Sequence, residues 1–180
     1  MAIRLRGLRQ ETKNNPTNYK SLEDLYEVYN ESGATGKRNK VILGILIYQG
    51  TKRLELERMR LENLDLGNGL IRIRETGVTN SRILKLESSQ ILGLSNYVYL
   101  VRPALNKRAL DYLFLSKGKG NRLGNILGVI WRSVFKHYGM KINAQEVRRS
   151  LIVHWLKTKD IREVQYMAGH RYENAKYSRW

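Results

Sequence analysis

Three residues near the end of this chain have side chains suited to chemistry on a phosphodiester. Arg148 lies within a predicted helix, His170 follows a second one, and Tyr177 comes shortly behind. An arginine and a histidine can hold one phosphate group between them, because both donate hydrogen bonds to its oxygens. A tyrosine hydroxyl beside that phosphate is a candidate nucleophile. The order of these residues therefore predicts a site for phosphoryl transfer.

The charge of the chain narrows the class of partner. Its 180 residues include 33 Lys and Arg against 16 Asp and Glu, a net charge of +17. A folded chain this basic usually binds a polyanion, and nucleic acid is the commonest one. A basic protein without a specific nucleic-acid role, or one associated with ribosomes, is the alternative. RNA is a further alternative, because its bases can stack on tyrosines, of which the chain has 11.

The cysteine and histidine content argues against a metal site. The chain has no cysteines, and His137, His154 and His170 lack the spacing of metal ligands. No apolar segment of signal-peptide length begins the chain, and VILGILIY at 41–48 is too short to cross a bilayer. We therefore expect a cytoplasmic protein without a membrane partner.

Hydrophobic periodicity predicts a mainly helical domain with a small sheet. Alternating residues over 68–88 predict a β-hairpin, and 112–115 predicts a third strand. We expect one domain over 21–180 after a basic arm or linker over 1–20, which either touches phosphates or is a solvated tail. Apolar residues at helical spacing predict a helix that opens at Ser21 with a capping-box-like start, and others over 37–49, 53–61, 88–106, 122–138, 144–157 and 160–168.

Three stretches, in this order, resemble the catalytic domain of tyrosine recombinases, the phage-type integrases. They are LIYQGTKRLELERMRLENLDL at 46–66, NGLIRIRETGVTNSRILKLES at 68–88, and the Arg, Gly-His, Tyr series over 143–180. Phrases such as LIYQG and REVQYMAGHRY are similar to those of integrases from Bacteroidetes-type mobile elements. The resemblance covers 21–180 and implies a mainly α fold with a small three-stranded antiparallel sheet, without the family's N-terminal core-binding domain.

The resemblance implies DNA strand cleavage and rejoining, in recombination or integration, with no cofactor. In this family two arginines, a histidine pair and a lysine bind the scissile phosphate, and a tyrosine attacks it to form a 3′-phosphotyrosyl link. Charge gathers on the nonbridging oxygens during phosphoryl transfer, so fixed positive donors stabilise the transition state. Subunits of the family often exchange C-terminal tails. We therefore expect double-stranded DNA as partner, and self-association on that DNA.

The resemblance assigns catalytic roles to five positions of this chain. Arg148 matches the second family arginine, and His170 matches the histidine of the Gly-His pair. Gln145 stands where the family commonly has a histidine. Lys52 stands at the first arginine position, where it keeps the charge but loses the two-pronged fork of arginine. The candidate catalytic set is therefore Tyr177, Arg148, His170, Lys52 and Gln145.

Two further departures from the family pattern leave catalysis open. Gly77 and Val78 occupy the hairpin turn, where the family's lysine or arginine is expected, so the acid for the leaving 5′-oxygen is unassigned. Tyr177 precedes the usual tyrosine position, which falls at Arg179. A catalytically impaired recombinase-like protein that binds DNA is therefore the alternative function.

Basic residues outside this set are candidate DNA contacts, for which a solvated surface is the alternative reading. They lie next to Lys52, on the hairpin, in a Gly-rich loop and on the last long helices. These candidates are Arg53, Arg72, Arg74, Arg82, Lys117, Lys119, Arg132 and Arg149.

Overall fold

The computed structural model describes residues 17–30, 32–106, 108–115 and 124–171. Within these ranges the chain is mainly helical and contains one small antiparallel sheet. No helix in the described ranges is long and apolar enough to span a bilayer. The predicted arm up to residue 16, Lys117, Lys119 and Tyr177 lie outside the described residues.

The predicted helices are present, with ends that differ by a few residues from the prediction. The segment predicted as one helix over 88–106 consists of α4 and α5 joined by a π-helical turn, Tyr97–Val101. A 3-10 turn, Leu61–Asn63, follows α3. The helices are α1 Tyr19–Val28, α2 Gly33–Gln49, α3 Arg53–Arg58, α4 Ser88–Asn96, α5 Arg102–Leu105, α6 Gly124–Tyr138, α7 Ala144–Trp155 and α8 Ile161–Ala168.

The start of α1 differs from the prediction. Asn18 caps this helix, because its side-chain oxygen accepts a hydrogen bond from Lys20 N at 3.1 Å. Ser21 lies inside the first turn, where its N–H donates to Asn18 O at 3.0 Å. The predicted start at Ser21 was therefore wrong, because Asn18 already supplies the cap earlier in the chain.

The sheet has the strand order β1-β2-β3, with β1 at Leu64–Asp65, β2 at Leu70–Ile73 and β3 at Arg82–Lys85. Both pairs of neighbouring strands are antiparallel. Strands β2 and β3 confirm the predicted hairpin. Since β3 is an edge strand, its free side is available to α8, where Ile83 N donates to Tyr166 Oη at 3.1 Å.

The register of the hairpin decides which side chains face the core. Ile73 lies opposite Arg82, and Ile71 lies opposite Leu84. All four side chains are buried. Because successive side chains of a strand point to opposite faces, the residues between them, such as Arg72, lie on the exposed face.

The third strand is not the one predicted at 112–115. Tyr112 forms an isolated bridge with Arg60, and Leu113 N donates to Met59 O at 2.8 Å. Leu113 is fully buried. An apolar run of this length is typical of a buried strand, but here the side chains reach the core while the backbone joins no ladder. The short strand β1 pairs with β2 instead.

Helix α2 is the central core helix, as predicted. It packs against α1, α4, α6 and α7. It ends at Gly50, whose φ of 57° is left-handed and whose N–H donates to Leu46 O at 3.2 Å. This ending turns the chain sharply and brings Gly50 against Leu151 and Arg148 of helix α7. Its buried apolar residues are Val41, Ile42, Leu43, Ile45, Leu46 and Ile47.

Two glycines allow the packing at the end of α2 to be tested. A Cβ at Gly50 would lie 2.9 Å from Leu151 Cδ2, whereas a Cβ at Gly139 would meet no atom within 4 Å. Both glycines have positive φ, so either alanine substitution carries a backbone cost of about 1–2 kcal/mol. We expect Gly50→Ala to lower the free energy of unfolding more than Gly139→Ala, because it also displaces Leu151. Urea denaturation would measure both, and equal losses would contradict the close packing.

Candidate active site

The orientation of α7 is fixed at its first turn. Asn143 Oδ1 accepts hydrogen bonds from Gln145 N at 2.9 Å and Glu146 N at 3.0 Å, and Glu146 Oε2 accepts one from Asn143 N at 2.9 Å. Later in the helix, Leu151 is buried against the core. Arg148 lies between this cap and this contact, so both constrain its direction.

The guanidinium of Arg148 connects the ends of two other helices. The residue is 8% exposed. Its Nη1 donates to Gly50 O at the end of α2, and its Nη2 donates to Ala168 O at the end of α8, at 2.6 Å. Carbonyl groups at a helix C-terminus carry partial negative charge and favour a cation. Arg148 is therefore held where α2, α7 and α8 meet.

Lys52 immediately precedes α3 and lies near Arg148. The residue is partly buried, and its N–H donates to Glu55 Oε2 at 2.7 Å. Burial lowers the pKa of Lys52, the charges of Arg148 and Arg82 lower it further, and Glu55 acts in the opposite direction. Lys52 is thus a cation held beside other cations.

His170 lies in the same region, directly after α8. Gly169 ends that helix in the left-handed conformation, with a φ of 67°. Burial and the charges of Arg148, Lys52 and Arg82 together lower the pKa of His170 to about 4. The imidazole is therefore neutral near pH 7 and can donate one hydrogen bond while its neighbours supply positive charge.

Three residues named from the sequence are thus brought together: Lys52, Arg148 and His170. Two cations and a neutral donor at one place can hold an anion such as a phosphate group. Within the described ranges, no group of three or more His, Asp or Glu side chains is placed to hold a metal ion. Binding of phosphate by these three residues stays a prediction.

Gln145 and the tip of the hairpin turn lie on the surface. Gln145 is exposed in the first turn of α7. Gly77 and Val78 form the exposed tip of the β2–β3 hairpin. The tip is closed by Thr76 and Thr79, whose hydroxyl oxygens lie 2.7 Å apart. The tip therefore has a regular turn but no basic side chain.

Most of the described candidate DNA contacts are exposed. Two of them form ion pairs at the surface: Arg53 with Glu57 at 2.8 Å, and Arg74 with Glu62. Exposed pairs of this kind contribute little free energy, so the arginines can exchange a carboxylate for a phosphate. Contact with DNA stays a prediction for each of the exposed candidates, Arg53, Arg72, Arg74, Arg132 and Arg149.

Arg82 lies in a different place from the one expected. Its side chain is 0% exposed and pairs with Glu55 at 2.7 Å. The register of the hairpin puts Arg82 beside Leu84 on the core face, so it offers no surface to a DNA phosphate. The alternation with Leu84 was the available signal, and the charge of Arg82 was given too much weight against it.

Glu55 belongs to the site but was not singled out from the sequence. Its carboxylate accepts hydrogen bonds from Arg82 and from Lys52 N. Burial raises the pKa of Glu55, but the hydrogen bonds and charge of Arg82 outweigh burial and hold the pKa below its usual value. An acid at the third helical position after Lys52 is a capping-box signal that would have indicated this role.

Comparison with known sequences shows a match over nearly the whole chain. The sequence pattern of the phage integrase family matches residues 17–176. The tyrosine recombinase XerD of Staphylococcus aureus (strain N315) is 30% identical over 142 residues, which are 75% of this chain and 47% of that protein. The chain thus spans about half the length of the curated relatives it matches.

Comparison with solved structures confirms the predicted fold. The crystal structure of XerA recombinase has a TM-score of 0.74 and 22% identity, over 90% of this chain and 58% of that one. The pre-cleavage complex of the XerH site-specific recombinase with its difH substrate has a TM-score of 0.71 and 21% identity. It covers 87% of this chain and 47% of that one.

The position of His170 predicts a pH dependence of stability. Its pKa is about 4 in the folded protein against a usual value of 6.5, so the unfolded chain takes up a proton first as the pH falls. The contribution of neutral His170 to the free energy of unfolding is therefore complete above pH 6.5 and is lost as the pH falls towards 4. Urea denaturation over this pH range should show a smaller loss of the free energy of unfolding in His170→Gln than in the wild type. The exposed His137 provides the control variant His137→Gln, and wild-type behaviour of His170→Gln would contradict the prediction.

Proposed function

Because this chain belongs to the phage integrase family, we propose that it cleaves and rejoins DNA strands in site-specific recombination or integration. The observation that best supports the proposal is the meeting of Lys52, Arg148 and His170 where α2, α3, α7 and α8 come together. Such fixed donors stabilise the charge that develops on a phosphate during transfer, without reorganising at the moment of reaction.

The proposed reaction uses Tyr177 as the nucleophile. Its hydroxyl oxygen attacks the phosphorus and loses its proton, while the bond from phosphorus to the 5′-oxygen breaks and that oxygen gains a proton. A 3′-phosphotyrosyl link is formed. The 5′-hydroxyl of another strand then attacks this link and regenerates both a phosphodiester and the tyrosine. The phosphoryl ester is conserved throughout, so the reaction needs no separate energy source.

The roles of the other residues follow from their chemistry. Arg148 presents hydrogen-bond donors in one plane, which suits two phosphate oxygens. His170 is neutral and donates from one ring nitrogen, while Lys52 contributes charge. Gln145 can donate a hydrogen bond but cannot transfer a proton as an acid. The acid for the 5′-oxygen is not among these assignments.

We propose double-stranded DNA as the partner and the exposed basic residues as its contacts. The net charge of +17 and the exposed Arg72 and Arg74 on the hairpin support this choice. Phosphate contacts release counterions, so binding should weaken steeply as salt is added. Action on cellular DNA would place the protein in the cytoplasm, and the phrases LIYQG and REVQYMAGHRY support a mobile element of Bacteroidetes type.

Formation of the covalent intermediate is the direct test of this function. Nicked duplexes drawn from the DNA bordering the gene would trap the phosphotyrosyl link, because the fragment released by the nick diffuses away. We expect a protein–DNA band that survives denaturation in the wild type and is absent in Tyr177→Phe.

In its folded fraction, Arg148→Ala should also abolish the covalent band while weakening DNA binding only modestly, since one phosphate contact among many is lost. Urea denaturation measures that fraction, because Arg148 also connects α2, α7 and α8. A complex on native gels without a covalent band would instead favour the catalytically impaired DNA-binding protein. The absence of any complex at low salt would contradict the DNA partner itself.

We also propose that copies of the chain associate on DNA by exchanging their C-terminal segments. A shallow apolar cleft between α7 and α8 supports this proposal, because it lies beside His170 and apolar side chains of another copy can pack over its surface. Its apolar lining consists of Ile152, Leu156, Ile161 and Val164.

Light scattering of the DNA complex would test this association. We expect more than one copy per duplex for the wild type and fewer for Ile161→Asp, because a charge in the cleft disfavours an apolar guest. An acid at the start of α8 is favourable for the helix, so this variant should fold. Val28→Asp is a control matched in exposure, because Val28 is 44% exposed and Ile161 is 46% exposed. Since Val28 ends α1, where an acid is unfavourable, the two variants are compared at equal folded fraction. Equal loss of assembly in both variants would contradict the role of the cleft.

A further inference from the structure

A charged side chain lies beneath the candidate active site without reaching the surface. Arg82 stands at the start of β3, on the core face of the sheet, and its side chain is 0% exposed. Its Nε is buried and has no hydrogen-bond partner among the described residues. A buried polar group left unpaired costs free energy, so this placement is not explained by stability alone.

The guanidinium of Arg82 is joined to the start of α3. Its Nη1 donates to Glu55 Oε1 at 2.7 Å, and its Nη2 donates to Glu55 Oε2 at 3.0 Å. The same Oε2 accepts the hydrogen bond from Lys52 N at 2.7 Å. Arg82 thus fixes the carboxylate that in turn holds the backbone of Lys52.

On its other side, Arg82 lies against the turn that carries His170. A Cβ at Gly169 would fall 2.5 Å from Arg82 Nη1, so only glycine allows the guanidinium to come so close. Arg82 Nη1 also contacts Asn80 O at 3.4 Å. Asn80 binds the turn directly, since its N–H donates to Gly169 O at 3.0 Å and its Nδ2 donates to His170 O at 3.3 Å.

We propose that Arg82 is a positioning residue for strand cleavage, which sets the separation of Lys52 and His170 through Glu55 and through the Asn80–Gly169 contact. The inference rests on the proposed function, in which both residues act on one phosphate. Small displacements of such groups strongly reduce the rate, because the donors no longer match the transition state.

The energetics of a buried ion pair favour a positioning role for Arg82 over a stabilising one. A buried ion pair gains little net free energy, because the loss of hydration of both charges offsets their attraction. Replacement of such a pair by apolar residues of similar volume is often neutral for folding. Here the pair provides a fixed geometry. The planar guanidinium of Arg82 donates two hydrogen bonds to the Glu55 carboxylate, and these leave little freedom to β3 or to the start of α3.

The substitution Arg82→Lys separates geometry from charge, because lysine keeps the charge but loses the fork. We expect the rate of covalent-link formation at saturating DNA to fall about 100-fold, with DNA affinity nearly unchanged. We also expect NMR titration of His170 to show a pKa raised from about 4 towards its usual value, because the loosened turn admits water. A wild-type rate or a wild-type titration of His170 in folded Arg82→Lys would overturn the proposal.

Arg38→Lys is the matched control, because it also replaces a buried guanidinium with the ammonium group of lysine. Arg38 is 5% exposed, and its guanidinium donates to Asn39 Oδ1 and Leu115 O. It lies on α2 roughly 18 Å before Gly50, at 1.5 Å of rise per residue, and therefore far from His170. Arg38→Lys should lower stability yet leave the titration of His170 and the cleavage rate at wild-type values. A change of both in this variant would overturn a specific role for Arg82.

A double variant keeps the proposal testable if Arg82→Lys does not fold. Arg82→Met combined with Glu55→Met removes both charges and should retain the fold. We expect slow cleavage in this variant, and a wild-type cleavage rate would overturn the proposal. Among the variants at position 82, the titration of His170 is compared only in Arg82→Lys, which keeps the charge there. If the wild type itself forms no covalent link, the proposed function fails, whereas the titration of His170 still decides the present inference.

Discussion

The arrangement of this domain depends on one cation placed against the ends of two helices. Arg148 donates to Gly50 O after α2 and to Ala168 O at the end of α8. Helix ends leave carbonyl groups without partners inside the helix, and their partial negative charge suits a guanidinium. Because these carbonyls come from distant parts of the chain, the contact fixes three helices relative to one another.

That contact creates an electrostatic constraint on the surrounding residues. Lys52, Arg82 and Arg148 all act on the pKa of His170 in the same direction, so their charges are concentrated near one ring. Among the described residues near this ring, Glu55 offsets part of the positive charge, and its carboxylate is already paired with Arg82. A site with surplus positive charge favours binding of an anion, because the anion would reduce the repulsion among Lys52, Arg82 and Arg148.

The sequence predicted the fold, and its resemblance to tyrosine recombinases pointed to the three residues that the structure brings together. Gly50, Arg148 and Gly169-His170 mark the ends and faces of predicted helices, and such local signals survive in the structure. The hairpin was also predicted correctly. Helical periodicity and glycine positions are local properties, so they can be recognised without tertiary contacts.

What sequence reasoning missed depends on contacts between distant segments. The 112–115 run is apolar enough for a strand, but whether it joins the sheet depends on which backbone lies beside it. Arg82 was expected at the surface because it is charged, yet Glu55 lies 27 positions earlier and neutralises it in the core. A buried charge can be identified only together with its partner, and that pairing is a property of the folded chain.

The tip of the β2–β3 hairpin can accept other side chains without disturbing the packing of the domain. The turn is closed by Thr76 and Thr79, while Val78 is 61% exposed and contributes little to packing. Gly77 and Val78 thus leave a regular turn without a basic side chain. A basic side chain introduced at Val78 would change the charge of the tip without requiring a change of the backbone. Replacements at Val78 therefore meet few packing constraints, whereas any replacement at Arg82 must be accommodated by the interior.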